Sequence, residues 1–200
     1  MIPVPAEATV LTYPEEAVPA ALRRQVRALQ EDAWPSSDPA DALSDAPVHD
    51  PALRPLSMLL VADGTVLAAL DVLTKEITHA GRRWAAGGLS TVVTRREARG
   101  RGHGRRLVRT AREAMAEAGL EIGLFTCDRP LQAFYESAGW RRLPGTVLVG
   151  GTPESPFPSD WSPFDKVTMA CFFTSDSRAA EPSFHDSRIA LHSGRIDKLW

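Results

Sequence analysis

Three glycines that alternate with other residues, Gly100, Gly102 and Gly104, separate two stretches of different pattern. Residues 92–94 close a strand-like apolar run, and residues 105–108 open a helical one. Glycine lets the backbone approach a ligand closely. The N-terminus of a helix offers unpaired N–H groups and the positive end of its dipole. The spacing therefore indicates an anion-binding loop between a strand and a helix.

Two common phosphate-binding motifs do not fit this loop. A P-loop requires Lys and then Ser or Thr after its last glycine, and here Arg105 and Arg106 follow. A dinucleotide fingerprint requires two residues between its second and third glycines, but only His103 separates Gly102 from Gly104. A solvated basic face would not require glycines, which are unfavourable in regular structure.

Composition limits the partners and the location of the chain. The formal net charge is −2, and no aromatic residues interleave with the arginines, so we expect no nucleic-acid partner. The start of the sequence lacks the order of a signal peptide, and no apolar run reaches the length of a membrane span. Cys127 and Cys171 have neither metal nor redox spacing. We expect a cytoplasmic protein without a membrane partner or a metal.

The first half of the sequence predicts one helix and three strands. A helix is indicated over 14–34 by an apolar stripe consisting of Val18, Leu22, Val26 and Leu29. Residues 31–53 contain prolines and predict a loop. Residues 56–94 read as three strands, with a tight turn at Asp63–Gly64 and a looser one over 79–84.

Strands and helices alternate in the second half. The predicted elements are a helix over 105–118 that ends at Gly119, a strand over 120–127, a helix over 130–138, and strands over 140–150 and 165–173. Residues 150–163 read as a loop and residues 174–200 as a polar, irregular tail. The order predicts one α+β domain over 1–200, a meander followed by strand–helix–strand–helix–strand.

Two motifs resemble the GNAT acetyltransferase superfamily. Arg99 to Gly104 has the pattern R-x-x-G-x-G, similar to the loop that cradles the pyrophosphate of acetyl-coenzyme A in these enzymes. PLQAFYESAGW, residues 130–140, resembles their second diagnostic segment, a short tyrosine-bearing helix. The resemblance implies a GNAT fold: a mixed, mainly antiparallel sheet of six to seven strands with about four helices. It also implies acetyl-CoA as the acyl donor.

From about Gly87 to Trp200 the chain is most similar to the aminoglycoside 2′-N-acetyltransferases. This resemblance implies that residues 174–200 fold over the acceptor site and that the acceptor is an aminoglycoside amine, with kasugamycin as one compatible substrate. The chain departs from that family at two places. Ser90 stands where the family carries an acid, and two residues rather than one separate Asp197 from Trp200.

The resemblance implies three sets of site residues. The donor set is Val92, Val93, Thr94, Arg99, Gly100, Arg101, Gly102, His103, Gly104, Arg105 and Phe134. The catalytic set is Tyr135, as the acid that protonates the leaving thiolate, with Asp197 and the terminal carboxylate of Trp200 as candidate bases. Tyr135 also lies on one stripe with Leu131, Phe134 and Ala138, so a core aromatic role stays open.

The acceptor set consists of Asp38, Asp41, Ser90, Asp197 and Trp200. The two aspartates come from the residues themselves, because residues 31–53 hold six acids and neither Lys nor Arg. Such a stretch favours a cationic acceptor, or it is a solvated loop. Asp71 and Glu76 face either the acceptor or bulk water, since alternation does not fix which face is inside.

Two other functions stay open. The first is a GNAT enzyme that acetylates a polyamine, a peptide N-terminus or an amino-sugar metabolite. The second is a non-catalytic acyl-CoA sensor, which would tolerate the loss of Tyr135. Dimerisation is common in the superfamily, so a homodimer is compatible with the resemblance, although the sequence marks no interface.

Overall fold

The computed structural model describes residues 7–36 and 47–200, which form four helices and ten strands. The helices are α1 (Ala20–Ala33), α2 (His103–Glu117), α3 (Gln132–Ser137) and α4 (Ser175–Phe184). The strands are β1 (Thr9–Pro14), β2 (Leu56–Ala62), β3 (Thr65–His79), β4 (Arg82–Thr94), β5 (Ile122–Asp128), β6 (Arg141–Arg142), β7 (Val147–Thr152), β8 (Ser155–Pro158), β9 (Lys166–Phe172) and β10 (Arg188–Ala190).

Seven strands form the main sheet, in the order β1-β2-β3-β4-β5-β9-β6. Strands β1 to β4 are an antiparallel meander, and β5, β9 and β6 are likewise antiparallel. β4 and β5 run parallel, because α2 crosses between them. The remaining three strands form a small sheet in the order β10-β7-β8. The predicted GNAT fold, with its mainly antiparallel sheet and about four helices, is confirmed.

Helices α1 and α2 cover opposite faces of the meander. The predicted stripe of α1 packs with Leu59, Ala69 and Val93, which share one face. The stripe of α2, which includes Leu107 and Met115, packs within the larger core on the other face. Alternate residues of a strand point to opposite faces, so the buried run of β2 serves both layers.

The separation of β4 from β5 is the feature that shapes the site. The two strands pair only at Ala86–Ile122 and Gly87–Gly123 and then diverge. Beyond this point the register of β4 against β3 shifts by one residue, and Thr91 takes a φ of 50°. This β-bulge bends β4 away from β5 and leaves a wedge-shaped opening in the sheet.

The last residue of the chain, Trp200, fills the narrow end of this opening. The carbonyl oxygen of Trp200 accepts a hydrogen bond of 3.1 Å from the Thr126 amide of β5. The indole of Trp200 is buried against Gly88, where a Cβ would lie 2.5 Å from the ring. Trp200 thus takes the place beside β5 that β4 vacates.

Several predictions about individual elements were wrong in detail. The strand expected over 140–150 is two short strands in different sheets, because Pro144 and Gly145, with a φ of 64°, break it. The loop predicted over 150–163 contains β8, and the tail predicted as irregular contains α4 and β10. The second hairpin is as tight as the first, with only Ala80 and Gly81 between its strands.

Strand β1 was not predicted from the sequence, and it pairs with β2 at the edge of the sheet. Among the described residues, no helix combines the length and the apolarity that crossing a membrane requires.

Substitution of Gly88 by Ala tests the seating of Trp200. A Cβ at Gly88 would lie 2.5 Å from the indole and 2.6 Å from the Leu124 carbonyl oxygen, so the indole must move. We expect amide exchange at Thr126 to accelerate by about tenfold or more, measured by hydrogen-exchange mass spectrometry. Gly87→Ala is the control, because the one close contact of its Cβ, at 2.7 Å, is with the flexible end of Leu120. Equal protection in both variants would contradict this seating.

Candidate functional site

The predicted anion-binding loop lies at the N-terminus of α2. Gly100 and Gly102 have φ values of 75° and 81°, a backbone conformation that residues with a Cβ rarely adopt. Gly104 packs tightly at the start of the helix, where a Cβ would lie 2.6 Å from Thr94 Oγ1. Arg99 Nε donates a hydrogen bond of 3.1 Å to the Thr94 carbonyl oxygen, which ties the loop to the end of β4.

A cleft of about 710 Å³ opens in front of this loop. Its lining includes the whole predicted donor set, namely Val92, Val93, Thr94, Arg99, Gly100, Arg101, Gly102, His103, Gly104, Arg105 and Phe134. Arg101 and Arg105 are exposed and make no ion pair with the described part of the chain. The cleft therefore joins positive side chains to the positive end of a 15-residue helix, a combination that suits a diphosphate.

A second cavity, of about 510 Å³, lies within the opening between β4 and β5. Val92, Leu131 and Tyr135 line both cavities, so the two meet at these residues. The C-terminal segment, defined here as residues 195–200, forms one wall through residues 196–200. Ser90, Asp197 and Trp200 of the predicted acceptor set line this cavity, whereas Asp38 and Asp41 lie outside the described residues.

Tyr135 stands at the junction of the two cavities. Its ring packs edge-on against Phe125, with the centroids 4.8 Å apart, and only 6% of the residue is exposed. Tyr135 is thus more buried than Phe134, its neighbour on the same predicted stripe. Burial raises the pKa of the Tyr135 phenol above its ordinary value, and the neighbouring Cys127 and Asp128 raise it further. The phenol keeps its proton at neutral pH.

Cys127 also lines the second cavity, next to Tyr135 in the site. Burial, with the Asp128 charge as a smaller cause, raises the pKa of its thiol to about 11. A thiol is a poor nucleophile compared with a thiolate, so Cys127 is a neutral wall residue at pH 7.

A buried histidine, His49, lies between two buried aspartates and lines the second cavity together with one of them, Asp197. His49 Nδ1 lies 2.5 Å from Asp197 Oδ1, and His49 Nε2 lies 3.3 Å from Asp71 Oδ2, at an angle that makes an ion pair without a hydrogen bond. All three residues are at most 8% exposed. Burial disfavours the charged imidazole, but the Asp197 and Asp71 carboxylates outweigh it and raise the pKa of His49 to about 10.

Glu15 fixes the backbone of the segment that carries His49 through hydrogen bonds. The Glu15 carboxylate accepts hydrogen bonds from the amides of Val48, at 2.5 Å, and His49, at 3.3 Å. Burial raises the pKa of Glu15 above its ordinary value, and the hydrogen bonds from these amides and the His49 charge offset only part of the rise. The sequence left open whether Asp71 and Glu76 face the acceptor or bulk water. Asp71 is buried at this cluster, whereas Glu76 is exposed.

His49 was not predicted as a site residue. Its partner Asp197 lies 148 positions away in the sequence, so only the folded chain brings them together. The sequence carried one weak signal, a histidine inside the acid-rich stretch 31–53. Among residues 7–36 and 47–200, no group of His, Cys, Asp and Glu side chains is arranged to hold a metal ion.

The outer wall of the second cavity is aromatic and carries two lysines. Phe157 packs with Trp161 and Phe164, at centroid distances of 5.6 and 5.5 Å. Lys166 pairs with Asp128 at 2.8 Å. Lys198 Nζ lies 5.6 Å from the centre of the Phe157 ring and makes no ion pair with the residues described here.

Comparison with known proteins agrees with the fold and the loop. A family model described as an acetyltransferase (GNAT) domain matches residues 17–143, more than half of the chain. The chain belongs to the GNAT acetyltransferase family, and it is an acetyl-CoA-dependent N-acetyltransferase. No curated protein matched the sequence.

Solved structures share the fold at low sequence identity. The GNAT family N-acetyltransferase YhbS from Escherichia coli, solved in complex with CoA, has a TM-score of 0.64 and 17% identity, over 96% of this chain and 93% of that chain. An acyl-CoA N-acyltransferase from Pseudomonas aeruginosa has a TM-score of 0.56 and 16% identity, over 82% of this chain and 99% of that one. At these identities the likeness extends to the fold alone.

The pKa of His49 predicts how stability depends on pH. A folded-state pKa of about 10, above the ordinary 6.5, means that the contribution of His49 is complete below pH 6.5 and is lost as the pH rises through 10. We expect the difference in unfolding free energy between the wild type and His49→Gln to be largest near pH 6 and to shrink toward pH 10. Urea unfolding across this range measures it, with the exposed His185→Gln as control. A difference that is constant or grows with pH would contradict the ion pairs.

Proposed function

We propose that the second cavity is the acceptor site, and that the enzyme transfers the acetyl group of acetyl-CoA to an amine of a small molecule held there. The observation that carries this proposal is the junction at Val92, Leu131 and Tyr135, which line both cavities. A donor in the cleft before α2 and an acceptor beside the C-terminal segment would meet at that junction. The tail, residues 174–200, would then cover the acceptor through its last residues.

The chain fits the donor that its family uses. Acetyl-CoA supplies the acetyl thioester. We propose that the loop glycines and the first amides of α2 hold its pyrophosphate, with Arg101 and Arg105 beside them. The β4 segment Val92–Thr94, beyond the last pairing with β5, would bind the pantetheine arm and polarise the thioester carbonyl.

We assign Tyr135 as the acid that protonates the departing thiolate. Its raised pKa keeps the phenol protonated, which is the form that can donate. Its place at the junction puts it beside both substrates. The edge-on contact with Phe125 fixes the ring without occupying the hydroxyl.

The amine must lose a proton, and the two predicted bases differ in their surroundings. Both carboxylate oxygens of Asp197 already have partners, His49 Nδ1 at 2.5 Å and the Asp50 amide at 2.9 Å, so Asp197 is engaged within the protein. Trp200 lies in the same wall, where its oxygen accepts from the Thr126 amide at 3.1 Å. We therefore propose that water held at the Trp200 wall of the cavity receives the proton, and that Asp197 maintains the shape of the site.

Two acceptor classes have support. The resemblance of residues 87–200 to aminoglycoside 2′-N-acetyltransferases favours an aminoglycoside, and Asp197 and Trp200 both line the cavity as that acceptor requires. The charges favour a second class, because Asp197 and Asp128 are already paired while Lys198 has no carboxylate partner among the described residues. An amine on an aromatic body with an acidic group would suit Lys198 and the Phe157 ring.

The acceptor class is tested by release of free CoA thiol with a panel of amines. The panel contains kanamycin, kasugamycin, spermidine, tryptamine, phenylalanine and a peptide with a free N-terminus. Turnover with one of the five small amines supports acetyl transfer to a small molecule and identifies the class of the acceptor. Turnover with the peptide alone would contradict a small-molecule acceptor, and no turnover with tight CoA binding would favour the sensor function.

Replacement of Tyr135 by Phe removes the hydroxyl and keeps the ring. We expect kcat to fall by about 10²–10⁴-fold, the usual contribution of a general acid, while the Kd for CoA changes little. Steady-state kinetics and calorimetry measure the two quantities. Tyr13→Phe is the matched control, since Tyr13 is the other tyrosine of the chain and packs beneath α1. An unchanged kcat would assign Tyr135 to the core alone.

The loop assignment is tested by comparing two glycines at opposite ends of α2. Gly102 and Gly119 both have positive φ, 81° and 78°, and neither has an atom within 3.5 Å of an added Cβ. Ala at either position carries similar backbone strain. We expect Gly102→Ala to raise the Kd for CoA by about tenfold, because a Cβ obstructs the diphosphate, and Gly119→Ala to leave it unchanged. Equal affinities in the two variants would remove the loop from the donor site.

A further inference from the structure

We infer that His49 is a positioning residue of the acceptor site, whose imidazolium ties the C-terminal segment to the bulge of β4. The link runs from Asp197 through His49 to Asp71. This inference rests on the acceptor cavity proposed above. It adds a residue and a role that neither the sequence motifs nor the family fold indicates.

On one side the link holds the C-terminal segment. Asp197 presents one carboxylate oxygen to His49 Nδ1 at 2.5 Å and the other to the Asp50 amide at 2.9 Å. Residues 196 and 198–200, on either side of Asp197, form the wall of the acceptor cavity. The position of that wall therefore depends on the segment that carries His49 and Asp50.

On the other side the link holds the bulge. Asp71 accepts hydrogen bonds of 2.5 Å from Ser57 Oγ and from Thr91 Oγ1. Thr91 is the residue of β4 with a φ of 50°, and its neighbours Ser90 and Val92 line the acceptor cavity. Asp71 thus holds the bent part of β4 in place, and His49 Nε2, 3.3 Å away, joins it to the tail.

The charge of His49 is what allows one side chain to serve both aspartates. A neutral imidazole has one N–H donor and one acceptor, whereas the protonated ring has a donor on each side. Two buried carboxylates without a cation would repel each other and remain poorly solvated. Both ring nitrogens face carboxylates, Nδ1 that of Asp197 and Nε2 that of Asp71, so neither nitrogen is available to the amine and the role of His49 is positional.

Other contacts keep the tail folded when His49 is changed. Lys75 Nζ donates to the carbonyl oxygens of Leu191 and His192 at 2.7 and 2.8 Å. The Gly151 amide donates to the Lys198 carbonyl oxygen at 2.8 Å. We therefore expect loss of His49 to displace the wall of the acceptor cavity without unfolding the chain.

The test compares His49→Gln, Asp197→Asn and the double variant in the full-length enzyme, with the exposed His185→Gln as the matched control. The measurements are the KM of the panel amine with the highest turnover, the Kd for CoA, and hydrogen exchange of residues 191–200. We expect His49→Gln to raise the acceptor KM by about tenfold, to change the Kd for CoA less than twofold, and to accelerate exchange of the tail.

The double variant separates an electrostatic link from simple damage to the fold. His49→Gln leaves Asp71 and Asp197 buried without their cation, and Asp197→Asn removes one of the two charges. We expect the double variant to have a lower acceptor KM than His49→Gln alone. If the increases in acceptor KM of the two single variants multiply in the double variant, the two residues act independently and the inference is overturned.

The remaining outcomes are also decisive. Unchanged tail exchange in His49→Gln overturns the link, whichever amine is the acceptor. A matching rise in the Kd for CoA overturns a role specific to the acceptor. A different result would contradict the proposed acceptor site itself: the panel amine would then not protect residues 195–200 of the wild-type enzyme from hydrogen exchange.

Discussion

The structure depends on one break in the main sheet, the early separation of β4 from β5. Only two residue pairs join these parallel strands before the bulge at Thr91 turns β4 away. The break leaves an edge of each strand unpaired within the protein, which would be costly unless other groups bound to it. Trp200 binds to part of the β5 edge through the Thr126 amide. The rest of the opening is where we place the two substrates.

The two sides of the opening differ in chemistry. The cleft before α2 brings together the first backbone N–H groups of the helix, glycines and exposed arginines, groups that suit an anion. In the second cavity His49 is paired with Asp197 and Lys166 with Asp128, whereas Lys198 has no ion-pair partner among the described residues, and the outer wall is aromatic. In the function proposed above, this division keeps the diphosphate of the donor apart from the acceptor amine. Tyr135, neutral because it is buried, lies between them.

The sequence predicted what local patterns encode. The alternating glycines, the amphipathic α1 and α2, and the meander of β2 to β4 depend on neighbours within a few residues, and all were recovered. The resemblance of its helix singled out Tyr135 as a candidate acid, and the structure places this residue where the two cavities meet. The short β10 was missed, because its pairing with β7 is set by a strand distant in the sequence rather than by its own composition.

The cluster of His49, Asp71 and Asp197 beside the second cavity could not be predicted for the same reason. His49, Asp71 and Asp197 come from three distant parts of the sequence, and none has a pattern that marks it as buried. Asp71 was recognised as an acid on a strand, but alternation could not decide which face it occupies. The split of residues 140–150 had a readable cause, since Pro144 and Gly145 are typical strand breakers.

The most direct test of this account is a crystal structure of the chain with CoA. The account predicts the pyrophosphate at the first amides of α2, the pantetheine arm along Val92–Thr94 in the opening beside β5, and the sulfur within hydrogen-bond reach of the Tyr135 hydroxyl. Trp200 would remain on the far side of the sulfur, against Gly88. A sulfur lodged away from Tyr135, or a pantetheine arm in the place of Trp200, would contradict the division of the opening between donor and acceptor.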